Sequence, residues 1–377
     1  MKLQSIESIS AISRTGAPCA MTAKHKRQFL GQEQELTKEL PDHWLVIRLS
    51  ALGDVALTTG VLSRWHRERG WRFTFLTLEQ WAPVLKHHPA IDRVIGIRRE
   101  DVRAANMIRL FRSLSREMAG CGLLDLHGTL RSGMLGAFWK GPKVRYPKFS
   151  LERRMFLRSN GRIFRDRLLE YNVPQRYALA IEQTAPPRRE LLPEIHLLAE
   201  EKAQAAESIA SLQMGPGKLV ALHPYSTHIN KAWRADYWQS LAASLVAAGH
   251  SVLVLGRGEK LGYPMPAGVH DLTNATSLRE TCALLVQCDM LVTGDSGPMH
   301  LAGAVGTPVV ALFGPTHAVW GFYPEGEHDI ILEADEACRP CSLHGSKPCQ
   351  HDQACMASLS PERVMQAVER MPVKQRA

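Results

Sequence analysis

Three short stretches of this 377-residue chain bring together residue types that could do chemistry. Leu291-Val-Thr-Gly-Asp-Ser-Gly-Pro-Met-His300 places an acid, a hydroxyl and bare backbone where an apolar strand gives way to a helix. Asp295 can accept hydrogen bonds from sugar or ribose hydroxyls. Ser296 and the N–H groups from Gly297 onward suit a diphosphate, because the first N–H groups of a helix have no intrahelical partner. His300 follows on the first turn. The stretch His223-Pro-Tyr-Ser-Thr-His-Ile-Asn-Lys231-Ala-Trp-Arg234 adds two hydroxyls, Ser226 and Thr227, and two cations, Lys231 and Arg234, a combination that binds phosphate. In Ser50-Ala-Leu-Gly-Asp54, Gly53 lets the backbone approach a ligand and Asp54 offers a carboxylate suited to general-base work. Each acid also has a structural reading as a helix cap, and His300 as a core histidine. The joint pattern is what favours a ligand site.

These loops need strands and helices to present them. Apolar runs predict strands over 44–49, 72–77, 94–97 and 123–126, with an amphipathic helix over 55–68 and further helices over 82–87 and near 101–119. The pattern restarts after Gln213-Met-Gly-Pro-Gly217. A helix over 195–212 leads into strands at 219–223, 252–255, 290–292 and 309–313, with helices over 234–248, 278–288, 298–305 and 361–370. Alternating strands and helices imply parallel, doubly wound sheets. Two Rossmann-like domains are expected, 41–214 and 215–377, after a loose N-terminal extension over 1–40. The motif loops then fall at the carboxyl ends of strands, where open α/β sheets bind ligands.

The formal charge of +9 is concentrated. Between Lys140 and Arg167 ten basic residues face only Glu152 and Asp166, so 10 − 2 = +8 lies in that one segment. Such a surface attracts anionic lipid headgroups or phosphorylated glycans. Few aromatics accompany it and no nucleic-acid module is present, so nucleic acid is disfavoured. No apolar run reaches the ~18 residues a membrane span needs, and the polar residues 1–40 are expected to be a loose extension and not a secretory signal. A soluble chain is the expectation. There is no Walker loop and no Gly-x-Gly-x-x-Gly after a strand, which disfavours P-loop enzymes and ordinary dinucleotide dehydrogenases. Four of the eight cysteines, Cys338, Cys341, Cys349 and Cys355, cluster near the C-terminus. That spacing suggests a structural zinc or iron site, with His344 and His351 as substitute ligands and unliganded thiols as the alternative. It is expected to lie away from the catalytic cleft.

The chain resembles bacterial family 9 glycosyltransferases, the heptosyltransferases of lipopolysaccharide core assembly. The resemblance runs through Ile47-Arg-Leu-Ser-Ala-Leu-Gly-Asp54, 223–233, Val254-Leu-Gly-Arg-Gly-Glu259, and Gly294-Asp-Ser-Gly-Pro-Met-His300 with Leu312-Phe-Gly-Pro315. Asp125-Leu-His-Gly-Thr-Leu-Arg131 is similar to a further family segment. The resemblance implies a GT-B fold and inverting transfer of a heptose or related sugar, typically from ADP-heptose, to a lipopolysaccharide acceptor. By the same resemblance Asp54 takes the position of the general base, with Ser50, Gly53 and Arg131 on the acceptor side. Lys231 with Ser226 takes that of the diphosphate cation site, Glu259 stands near the nucleoside, and Asp295, Ser296, Gly297 and His300 form the donor motif. No Asp-x-Asp motif is present, so catalysis is expected to need no divalent metal or other cofactor. The expected partners are a nucleotide-sugar and a phosphorylated glycolipid, with an anionic membrane surface meeting 140–167. The expected location is the cytoplasm, at the inner face of the inner membrane. Two other readings stay open: a nucleotide-sugar epimerase or hydrolase of the same fold, and a noncatalytic nucleotide-sugar-binding protein.

Overall fold

A computed structural model describes residues 40–374, apart from 103, 160, 213, 260–264, 343, 344, 346 and 347. The extension expected over 1–40 therefore lies outside the described residues, save Leu40. Residues Pro41–Ala377 form one compact unit containing two parallel sheets.

The first sheet is built from β1 (His43–Ile47), β2 (Arg72–Leu78), β3 (Ile91–Ile97), β4 (Gly122–Asp125) and β5 (Lys143–Arg145), in the order β3-β2-β1-β4-β5. Trp44, Leu45, Val46 and Ile47 are all fully buried. A central parallel strand covered on both faces reads as such an unbroken apolar run, and each large side chain contributes roughly 1.5–3 kcal/mol of burial. Helices α1 (Leu52–Arg69), α2 (Ala104–Glu117), α3 (Leu130–Gly136), α4 (Ser150–Arg158), α5 (Arg165–Leu169) and α6 (Val173–Ala178) complete this lobe.

The second lobe follows α7 (Ala199–Ala210). It contains β6 (Leu219–His223), α8 (Ala235–Ala247), β7 (Ser251–Val254), β8 (Val269–Asp271), α9 (Leu278–Gln287), β9 (Met290–Gly294), α10 (Gly297–Ala304), β10 (Val309–Phe313), β11 (Ile330–Glu333), α11 (Ala354–Ala357) and α12 (Pro361–Arg370). Its strand order is β11-β10-β9-β6-β7-β8.

Two features differ from the sequence expectation. The segment over 82–87 is part of a 3-10 helix, Glu79–Leu85, which its internal Pro83 suits better than an α-helix. Finally, α1 is not half-exposed. Leu52, Gly53, Val55 to Ser63 and Trp65 are all buried, because α10 of the second lobe, α6 and the turn over Arg188–Leu191 together cover the face that an amphipathic helix would turn to water. Glycines make that contact close. A Cβ on Gly60 would sit 2.2 Å from the Leu192 carbonyl oxygen, and one on Gly53 would sit 2.3 Å from the His300 ring. The short edge strands β5, β8 and β11 were not anticipated; three or four residues carry too little periodicity to stand out.

Candidate active site

The first lobe contributes an acid held by its own helix start. Arg48 follows β1 and is only 6% exposed; its guanidinium donates to the Leu126 carbonyl at 2.6 Å. Asp54 lies in the first turn of α1, inside the helix and not ahead of it. One carboxylate oxygen, Oδ2, accepts the Ala51 N–H at 3.1 Å. The other, Oδ1, pairs with the Arg48 guanidinium and accepts the Tyr177 hydroxyl at 3.2 Å. Burial pushes the Asp54 carboxyl up, but the Arg48 charge and the hydrogen bonds from Arg48 and Ala51 outweigh it and hold it below the usual carboxylate range. Asp54 is therefore ionised at neutral pH.

Opposite stands the start of α10. Asp295 closes the turn after β9, and its carboxylate meets Lys231 Nζ at 2.6 Å. Lys231 ends the 3-10 turn Ile229–Lys231. The cation expected to face a diphosphate is thus held by the acid expected to face hydroxyls. Ser296 is the N-cap of α10, yet its side chain makes no cap hydrogen bond. Its hydroxyl instead meets Thr293 Oγ1 at 3.0 Å and His223 Nδ1 at 3.4 Å. Burial lowers His223 to about 4, so this ring is neutral. His300, buried against Gly53, lies within electrostatic reach of both Asp295 and Asp54; burial lowers its pKa against the pull of those two acids. Gly297 packs on Leu52, where a Cβ would come within 3.0 Å. The two helix starts therefore touch, and the acid of one lobe and the ion pair of the other open onto the same space.

That space is a cleft cavity of about 550 Å³. Gly53, Asp54, Ser226, Thr227, Lys231, Asp295, Ser296, Gly297 and His300 all line it. The Ser226 hydroxyl is occupied locally, donating to the His228 carbonyl at 3.0 Å. Ser50 lies beside the cleft without lining it. Arg234 does not belong there: it is exposed, paired with Asp236 at 2.7 Å and stacked over Tyr237. Its position after the polar loop put it in the phosphate set, but it is the N-cap of α8 and reaches along its own helix. Glu259 is exposed and outside the lining, where its neighbours Gly256 and Arg257 stand instead. Arg131 is exposed on α3 and outside it as well. The segment containing Arg131 serves structure through Asp125, whose carboxylate gathers the His127 and Gly128 N–H groups, the Ser132 hydroxyl and Arg145.

Sequence reasoning missed Arg48, Tyr177, Trp81, Tyr225, His317, Trp320 and Phe322. Arg48 had a signal, a lone cation at the end of an otherwise apolar strand. Tyr177 had none; it is 123 residues from Asp54 and arrives through α6.

The cysteine segment is also closer than expected. The Cys341 N–H donates to the Pro315 carbonyl at 3.3 Å, and the Asn230 amide donates to the Gly345 carbonyl at 3.0 Å. A Cβ on Gly345 would lie 2.6 Å from Lys231 Cγ, so the segment braces the loop that carries Lys231. Cys349 Sγ accepts N–H bonds from His351 and Gln353 at 3.4 and 3.3 Å. Burial and then repulsion from Cys341, Cys338 and Cys349 push the Cys355 thiol up to about 11. The donors are right in kind for a thiolate-bound metal. However, no three His, Cys, Asp or Glu side chains among the described residues converge as metal ligands, and His344 lies outside those residues.

The family model for glycosyltransferase family 9 (heptosyltransferase) matches residues 107–350. The chain belongs to that family. Among curated proteins, this family 9 chain is 27% identical over 356 residues to lipopolysaccharide heptosyltransferase 1 of Pseudomonas aeruginosa, covering 87% of this chain and 97% of that one. It is 28% identical over 165 residues to lipooligosaccharide heptosyltransferase 2 of Campylobacter jejuni, a match spanning about half of that relative (51%) and 41% of this chain. Among solved structures it resembles a family 9 glycosyl transferase from Veillonella parvula, with TM-score 0.68, 19% identity, 88% of this chain and 98% of that one covered. It also resembles ADP-heptose lps heptosyltransferase II of E. coli, with TM-score 0.67, 20% identity, and 87% and 98% covered. The fold is accordingly GT-B, two Rossmann-like lobes flanking a cleft.

Proposed function

We propose that this family 9 chain is an inverting heptosyltransferase that moves a heptose from ADP-heptose to a phosphorylated lipopolysaccharide-core glycolipid. The observation that carries the reading is the shared cavity, with the Asp54 carboxylate on one wall and Lys231 with the start of α10 on the other. In a direct displacement the acceptor hydroxyl loses its proton as the nucleoside diphosphate departs. Asp54 Oδ2 is the candidate proton acceptor, since Oδ1 already receives Arg48 and Tyr177. Lys231 and the N–H groups of α10 suit the departing negative charge. That assignment asks a bound diphosphate to compete with Asp295 for Lys231.

Inversion fits a base and a leaving-group site on opposite lobes. An anionic acceptor fits Arg153 and Lys148, which feel the Asp54 charge from the first lobe; Arg153 is buried and its Nε has no hydrogen-bond partner among the described residues. The sugar and the acceptor class are supported by the similarity to lipopolysaccharide and lipooligosaccharide heptosyltransferases. No described helix is long and apolar enough to cross a membrane. We place the enzyme in the cytoplasm, working at the inner membrane face through 140–167. The chemistry we assign to Asp54, Lys231 and α10 needs no metal. A zinc or iron held by Cys338, Cys341, Cys349 and Cys355 would be structural, stiffening the segment behind Lys231, and would have to draw together thiols that do not converge as they stand. Metal analysis of protein purified without added metal tests this; protein free of zinc and iron overturns it.

The functional test is Asp54→Asn with ADP-heptose and a core acceptor. Transfer should fall by about 10²–10⁴-fold while ADP-heptose binding, read by calorimetry, persists. Undiminished transfer removes Asp54 as base. Release of free heptose by the wild-type protein, at equal rates with and without acceptor, would make it a hydrolase.

A further inference from the structure

Seven of the eleven large apolar side chains exposed among the described residues fall within 130–169: Leu130, Met134, Leu151, Met155, Ile163, Phe164 and Leu169. This is also the most basic part of the chain. Helix α4 shows how the two properties combine. Arg153 and Phe156 are buried, whereas Leu151, Arg154, Met155 and Arg158 are exposed. Those four stand at i, i+3, i+4 and i+7, a single helical stripe alternating apolar and cationic residues. An ordinary surface helix turns such apolar positions inward. Here the inward face is already filled: Phe156 packs edge-on against Trp320 at 5.5 Å, and Arg153 faces the Asp54 side of the site. Helix α3 repeats the pattern, with Leu130 (90% exposed), Arg131 and Met134 (63%) outward and Ser132 buried. Both helices follow the carboxyl ends of adjacent parallel strands, β4 and β5, at one edge of the first sheet.

From this we infer that the outer faces of α3 and α4, continuing through 162–165, form an interfacial surface that seats Leu130, Met134, Leu151 and Met155 in an anionic lipid leaflet. Apolar side chains set among arginines match the two layers of such a surface, acyl boundary and headgroup phosphate. A nucleic acid would leave the aliphatic groups without a partner. A second copy of the chain would bring two strongly basic patches together. The surface lies one helix thickness, about 10–12 Å, from the side of α4 that faces Asp54. A glycolipid anchored in the leaflet could therefore present its headgroup to the cleft without leaving the bilayer. That purpose rests on the glycosyltransfer reading; the surface itself does not.

The test is sedimentation of the full chain with vesicles of phosphatidylglycerol and phosphatidylcholine, against phosphatidylcholine alone. Wild-type protein should bind the mixed vesicles and not the neutral ones. Leu151→Glu/Met155→Glu should weaken binding by about ten-fold or more. Arg154→Gln/Arg158→Gln should weaken it by about ten- to thirty-fold and flatten its salt dependence. Transfer to a water-soluble, deacylated acceptor should be unchanged in the Leu151/Met155 variant, which also shows that it folds. Unaltered vesicle binding by that variant overturns the inference. So does a concentration-dependent dimer that the same variant abolishes in protein that ignores vesicles. Should wild-type protein bind vesicles yet transfer no sugar, the functional reading fails and the surface stands.

Discussion

Removing Arg48 tests whether Asp54 is kept ionised by its surroundings. The two groups form an ion pair at a site where Arg48 is 6% exposed, and the same guanidinium also holds the Leu126 carbonyl. Opposite charges about 4 Å apart at an effective dielectric near 20 attract by about 4 kcal/mol. Breaking a buried pair by deleting one partner costs about 3–5 kcal/mol, so the two scales agree. In Arg48→Gln the carboxylate keeps the Ala51 N–H and the Tyr177 hydroxyl, but burial, the largest influence on it, is no longer outweighed. Its pKa must rise. The native group, with its pKa depressed, contributes stability that is present above the unfolded carboxylate pKa and lost as pH falls through the lower folded value. In the variant the sign reverses: with burial no longer outweighed, the ionised carboxylate costs stability above the unfolded carboxylate pKa, and that cost is relieved as pH falls through the raised folded value. The acid limb of kcat/KM, which reports the free enzyme's base, should move upward. The assay is a pH profile of kcat/KM with a soluble acceptor, beside thermal unfolding at two pH values. On lowering the pH, kcat/KM should begin to fall at a higher pH in the variant than in the wild type. An acid limb that does not move, in a folded variant, refutes the claim that Arg48 holds the charge on Asp54.

Three other variants probe the remaining geometry. Lys231→Ala should weaken ADP binding by roughly 1.5–3 kcal/mol, the worth of a hydrogen bond to a charged group, as measured by calorimetry; unchanged affinity would remove Lys231 from the donor site. Gly53→Ala puts a methyl 2.3 Å from the His300 ring and should destabilise the protein by about 1–3 kcal/mol, visible as a lower Tm together with lost transfer. Arg234→Ala removes an exposed pair with Asp236 and a stack on Tyr237, both outside the cleft, so kcat and donor KM should stay within about two-fold of wild type; a larger loss would return Arg234 to the cleft.

The central strands were readable because parallel strands buried on both faces must be apolar throughout, and 44–47, 219–222 and 309–313 are. The motif loops were readable because strand ends in such sheets open onto ligands, and Ser226, Thr227, Lys231, Asp295, Ser296, Gly297 and His300 line the cleft, while Arg234 and Glu259 lie outside it. Which groups neutralise one another was not readable. Lys231 and Asp295 stand 64 positions apart and are joined only by the packing of β6 beside β9. Tyr177 reaches Asp54 through a helix from the end of the first lobe. The covering of α1 and the outward stripe of α4 likewise depend on which surfaces the lobes share. Residue type and local period determined the elements and the kinds of chemistry on offer. The tertiary structure decided the partners and the charge state of Asp54, since hydrogen bonds and desolvation depend on distance in space and not on separation along the chain.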